Sequence, residues 1–186
     1  MTTVGRRAVI AGTLGGAALG LAGCGKPPRA DLLSGSLRST HWPGRDIRWQ
    51  LTTRPEDQTE PLPVVVVLHG KGGDASHAFR ILHLEDHAAA NRLTLASVDG
   101  GAYYWHARRA GVDTGAMVIE DFLPLVARET GYAGPVAFLG WSMGGYGSLL
   151  LASELGPAYP VSRATSGRKS SMTIAPVSTP ARRACQ

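Results

Sequence analysis

Apolar positions along this chain fall into short continuous runs separated by stretches of helical spacing. "VVVVL" (Val64–Leu68), "LTLASV" (Leu93–Val98) and "VAFL" (Val136–Leu139) have strand length and no polar alternation, which predicts strands buried on both faces. Between the first two lies "ASHAFRILHLEDHAAANR", where Ala78, Ile81, Leu82, Ala88 and Ala89 recur at helical spacing and predict one helix with those residues inward. "GAMVIEDFLPLVARET" predicts a second helix with Val118, Phe122, Leu125 and Val126 on one side, and Pro124 kinks it or marks an offset start. A third helix is expected over Gly144–Leu155. Weaker strand patterns precede all of these, near Leu33–Arg38 and Ile47–Thr53. Strands alternating with helices imply an α/β fold, a mostly parallel sheet covered by helices on both faces.

The two ends differ from this middle. "MTTVGRRAVIAGTLGGAALGLAGC" opens with paired arginines, Arg6-Arg7, followed by a short run rich in Gly and Ala. It reads as an export signal over 1–23, of the twin-arginine kind. Residues 24–60 are a tether and the weak strands, 61–156 the core, and 157–186 a tail. The tail is rich in Ser, Thr, Pro and Arg, without leucine, and is expected to be disordered. Its one faint strand pattern, Ser171–Val177, contains Pro176. No strand is therefore expected after Val136–Leu139, which would become an exposed sheet edge.

Charge changes the picture little. The net +5 comes from the ends, because seven of the 19 basic residues are Arg6, Arg7, Arg163, Arg168, Lys169, Arg182 and Arg183. The middle holds the other 12 against 14 acidic residues and offers no basic face for nucleic acid. The 186 residues suffice for a single domain with a real core. Cys24 and Cys185 are the only cysteines, and no disulfide is proposed between them.

The chemistry concentrates in "FLGWSMGGYGSLLLASELG", where Gly140-Trp141-Ser142-Met143-Gly144 is a G-x-S-x-G between an apolar strand and a helix. In that context Gly140 and Gly144 let strand and helix approach while Ser142 takes a strained conformation that exposes its hydroxyl. The helix start then favours negative charge beside that oxygen. Upstream, Val64–Leu68 runs directly into His69-Gly70-Lys71-Gly72-Gly73, a Gly-rich turn. It lacks the spacing of a phosphate-binding loop.

Three resemblances extend this reading. Leu21-Ala22-Gly23-Cys24 looks like the lipobox of bacterial lipoproteins, which implies an acylated Cys24 and a membrane anchor on the outer face. The alternative is an ordinary secretory signal. The "HGKGG" turn resembles the oxyanion loop of α/β-hydrolases, in which Gly70 shapes the turn and the donors would be the backbone amides of Lys71 and Met143. Together, "VVVVLHGKGG", "DGG", "VIEDFLPLV" and "FLGWSMGGYGSLLLA" resemble an α/β-hydrolase esterase family. That family includes S-formylglutathione hydrolase, feruloyl-esterase-like domains and mycolyltransferases. The resemblance covers residues 60–155 and implies the N-terminal portion of that fold, with later strands missing. It also implies a small-molecule or lipid ester substrate, an acyl-enzyme on Ser142, and no cofactor or metal.

The constellation is incomplete. Such a serine needs a base and an orienting acid, which follow it in α/β-hydrolases. All six histidines (His41, His69, His77, His83, His87 and His106) precede Ser142, and Glu154 is the only acid after it. His69 is expected to support the turn, and His106 to line the pocket. His83 and His87, an i, i+4 pair, lack a third metal ligand. Three readings follow: an esterase with little turnover, a non-catalytic surface lipoprotein that keeps the cleft, or a fragment with no function, such as a truncated or frameshifted gene would give.

Overall fold

The structure is a computed structural model that describes residues 30–108, 110–156 and, as backbone, 161–165. The signal, Cys24 and most of the tail, including Ser171–Val177, lie outside the described residues. Six strands form one sheet in the order β1-β2-β4-β3-β5-β6. They are β1 (Leu32–Ser39), β2 (Trp42–Thr52), β3 (Val64–Leu68), β4 (Thr94–Val98), β5 (Ala137–Trp141) and β6 (Val161–Thr165). β1 and β2 form an antiparallel hairpin and β2 runs antiparallel to β4, whereas β4, β3, β5 and β6 are mutually parallel.

The apolar runs divide between two layers because successive side chains in a strand point to opposite faces. Val64, Val66 and Leu68 of β3 join Ala96 and Val98 of β4 in the larger core, together with Ile47, Trp49 and Leu51 of β2. On that face lie a short helix α3 (Thr114–Ala116), a π-helical stretch (Met117–Phe122), α4 (Leu123–Thr130) and α5 (Met143–Leu155). Val118, Phe122, Leu125 and Val126 are all buried there, as their spacing requires. Val67 and Leu95 point the other way, onto α1 (His77–Arg80) and α2 (Leu84–Asn91).

Pro124 explains the π-helical stretch. Proline has no N–H to donate and its ring crowds the carbonyl four residues back. The chain absorbs this by widening the preceding turn, so that the Leu123 N–H reaches the Val118 carbonyl five residues earlier. Asp113 caps the start of α3, its Oδ1 accepting from the Gly115 and Ala116 amides at 3.0 Å each.

Two expectations from the sequence fail, each for a physical reason. The single helix over residues 75–92 is two helices, broken at His83, whose φ of 51° and ψ of 40° are left-handed. Phe79 and Leu84 both pack against the sheet. In an unbroken helix, residues five apart point about 140° from each other, so the break is what brings both to the core. It also turns Ile81 and Leu82 outward, at 52% and 42% exposure, although the spacing predicts them inward. The second failure is the expected edge at β5. Val161–Thr165 runs parallel beside it, with Phe138 opposite Val161 and Trp141 opposite Thr165. A polar run with two β-branched residues still pairs, because the backbone supplies the ladder.

Candidate active site

Strand register builds the site. β3 and β5 are parallel neighbours with Leu68 opposite Gly140, so the chain leaves both strands at the same level on the same edge. Three residues beyond each paired position come Lys71 and Met143, whose backbone amides are the expected donors. Between Gly140 and Met143 lies Ser142, exposed at the head of α5 with φ 53° and ψ −120°. This conformation is unfavourable for a residue with a Cβ, and the packing around it holds it in place.

Three close approaches fix the turn. A Cβ on Gly144 would overlap the carbonyls of Leu68 and His69, so the first turn of α5 lies directly against the end of β3. A Cβ on Gly140 would overlap the Gly144 carbonyl. Gly70 faces the Trp141 indole and carbonyl, with room for no more than hydrogen at that point. Gly70, Gly140 and Gly144 therefore bring the 69–73 turn against the serine turn. Among the hydrogen bonds of the described residues, neither the Lys71 nor the Met143 amide is used in a turn or cap, whereas Gly73 N–H closes the turn onto the Gly70 carbonyl at 3.0 Å.

His69 fastens this turn from beneath. Its ring is fully buried, with Nδ1 2.8 Å from the Gly70 carbonyl and Nε2 2.9 Å from the Gly100 amide. An amide can only donate, so Nε2 accepts and Nδ1 carries the proton, the neutral tautomer. Because a peptide's C=O and N–H point in opposite directions, holding the Gly70 carbonyl beneath the turn aims the Lys71 N–H away from His69.

A third layer supports His69. Trp105, wholly buried at φ 61°, meets the imidazole edge-on at 5.0 Å. It fits because Gly100 and Gly147 leave space where side chains would collide with the indole, and Gly115 leaves space for the Trp105 carbonyl. Asp99 lies on the other side, its carboxylate 3.7 Å from His69 Nε2 and 2.9 Å from both Arg45 Nη2 and the Gly101 amide. Burial works to raise the Asp99 carboxyl. The Gly101 N–H and the Arg45 guanidinium outweigh it and hold the carboxyl below the usual carboxylate range. Arg45 also stacks over Trp42 at 4.5 Å. Sequence reasoning did not single out Trp105 or Asp99, because left-handed aromatic backbone leaves no periodic signal. The glycines around "YYWHARR" are the trace that could have pointed to Trp105.

No described histidine reaches Ser142 through a hydrogen bond. His106 places Nδ1 2.8 Å from the Ala107 carbonyl and its ring 6.0 Å from Tyr146, one helical turn beyond the serine. His41 contacts Glu120 at 2.9 Å, His77 accepts from the Asp74 amide, and His83 and His87 are exposed. A cavity of about 370 Å³ runs along α5, lined by His106, Asp113, Ile119, Tyr146, Leu150 and Glu154 among others. It places Glu154 three turns from the serine. No group of three or more metal-ligating side chains exists among the described residues.

Solved structures superpose on about 70% of this chain. The fold is that of the α/β-hydrolases. A ferulic acid esterase superposes with a TM-score of 0.61 at 16% identity, over 72% of this chain and 58% of its own. An S-formylglutathione hydrolase from Agrobacterium tumefaciens gives 0.60 at 16% identity, over 73% and 56%. FphF, a fluorophosphonate-binding serine hydrolase from Staphylococcus aureus, gives 0.58 at 20% identity, over 71% and 55%. The chain thus spans a little over half the length of these neighbours. No family model matches the sequence. No curated protein matches it either.

Proposed function

We propose that this chain is the nucleophile-bearing portion of an exported serine esterase, in which Ser142 attacks an ester carbonyl and becomes acylated as the ester C–O bond breaks and the alcohol leaves with the serine proton. The oxygen that gains charge in the attack would sit between the amides of Lys71 and Met143, with the start of α5 adding a favourable dipole. Acyl transfer to water gives hydrolysis, and transfer to another hydroxyl gives a new ester. The substrate is a small-molecule or lipid ester, no cofactor takes part, and the chain is held at the outer face of a membrane through an acylated Cys24. One observation carries the reading: an exposed serine at φ 53° heads α5 on a strand in register with the one that leads to Lys71. The esterase neighbours lend support at the level of fold.

Turnover in this chain is low on the same reading. Without a base the serine keeps its proton, and what remains is the acceleration from binding and the oxyanion donors. Incubation with p-nitrophenyl butyrate, followed by intact-mass and peptide analysis, tests this. A slowly formed butyryl adduct on Ser142, absent in Ser142→Ala, is expected. A rapid burst with fast turnover would reveal a base, and acylation at other residues alone would remove the nucleophile assignment.

A further inference from the structure

The corner between α1 and α2 exposes two large aliphatic side chains that the helical pattern predicts inward, Ile81 at 52% and Leu82 at 42%. They are held out by a left-handed, non-glycine His83, a conformation that costs free energy. Sequence and structure disagreeing at one exposed apolar site is a recurrent mark of function. Arg80 and His83 flank the pair and are exposed.

What covers this corner follows from where the chain enters the fold. Ala30 packs in one cluster with Phe79 and Leu84, the residues that bracket Ile81 and Leu82. Ala30 lies six positions after Cys24, with only Gly25-Lys26-Pro27-Pro28-Arg29 between them. Fully extended, such a stretch reaches no more than about 20 Å. An acyl chain on Cys24 would therefore keep this corner within about 20 Å of the lipid headgroups.

We infer that the α1–α2 corner is a membrane-contact surface, in which Ile81 and Leu82 enter the headgroup–acyl boundary of an anionic bilayer and Arg80 meets lipid phosphates. The inference rests on the proposed anchor at Cys24 and adds an orientation to it. The aliphatic pair would sit at the shallow depth that interfacial apolar side chains reach, leaving the Ser142 edge fixed relative to the bilayer.

The test uses the exported full chain with Cys185→Ser, carrying an environment-sensitive fluorophore at Leu82→Cys or at the control Leu149→Cys. Leu149 is as exposed, at 54%, but lies on α5. In vesicles containing phosphatidylglycerol the label at position 82 should shift to shorter wavelength. Headgroup-level nitroxide lipids should quench it several-fold more than the label at 149. Equal quenching at both sites, or none at either, would overturn the inference. So would a shift at position 82 that grows with protein concentration in the absence of lipid, since a second copy would then cover the corner. A second measurement separates the two proposals. Mass spectrometry reports acylation of Cys24, and a Cys24→Ser chain reports the corner through its own vesicle partition. Ile81→Ser with Leu82→Ser should weaken that partition about tenfold, and an unchanged partition would refute the surface whether or not Cys24 is acylated.

Discussion

At Ser142 the backbone holds φ 53° and ψ −120°, and its neighbours show what keeps it there. Gly144 is the least replaceable of them, because a Cβ would strike the backbone carbonyls of Leu68 and His69 and not a movable side chain. Gly144→Ala should therefore cost about 3 kcal/mol or more, measured as the loss in urea unfolding free energy. Trp105→Ala leaves a void beside His69, Gly100 and Gly147, and about 3–5 kcal/mol is expected by the same measurement. Asp99 gives a pH dependence. Its folded pKa lies below the ordinary carboxylate value, held there by the Gly101 amide and Arg45. Its contribution is thus complete above about pH 4 and is lost as pH falls toward 2. The urea midpoints of wild type and Asp99→Asn should converge as pH falls from 4 to 2, and midpoints that stay equally far apart would contradict this.

Among the elements, the helix from Thr114 onward is where local chemistry and packing agree most clearly. Asp113 caps it, Pro124 widens one turn, and Val118, Phe122, Leu125 and Val126 still face the sheet. Asp113→Ala should cost about 1 kcal/mol, seen as a lowered thermal midpoint. The three parallel strands and the serine turn were legible in the sequence because continuous apolar runs and a glycine-flanked serine follow from local rules. The break at His83 was not, since nothing near it forbids a helix and the decision comes from Phe79 and Leu84 reaching the same core. β6 was hidden for a related reason, because its pairing is backbone-to-backbone with β5 and needs no apolar pattern. The buttress of His69, Trp105 and Asp99 joins residues about 30 apart, so only the folded register reveals it.

For the molecule as a whole, β3 lies between β4 and β5, and its end, with that of β5, carries the site. Amides of β3 should therefore be the slowest to exchange with deuterium, and those of β1, at the sheet edge, among the fastest of the strands. The site is built on the inner strands, while the proposed lipid contact occupies the opposite helical layer, which keeps the two functions apart. The central claim is that the Ser142 hydroxyl faces two main-chain donors. It is tested most directly by a crystal structure of the chain after reaction with an alkyl phosphonate ester. The expected result is a phosphonyl group on Ser142 Oγ with one oxygen within about 3 Å of both the Lys71 and Met143 amides. A phosphonyl oxygen turned to solvent, or modification of residues other than Ser142, would contradict it.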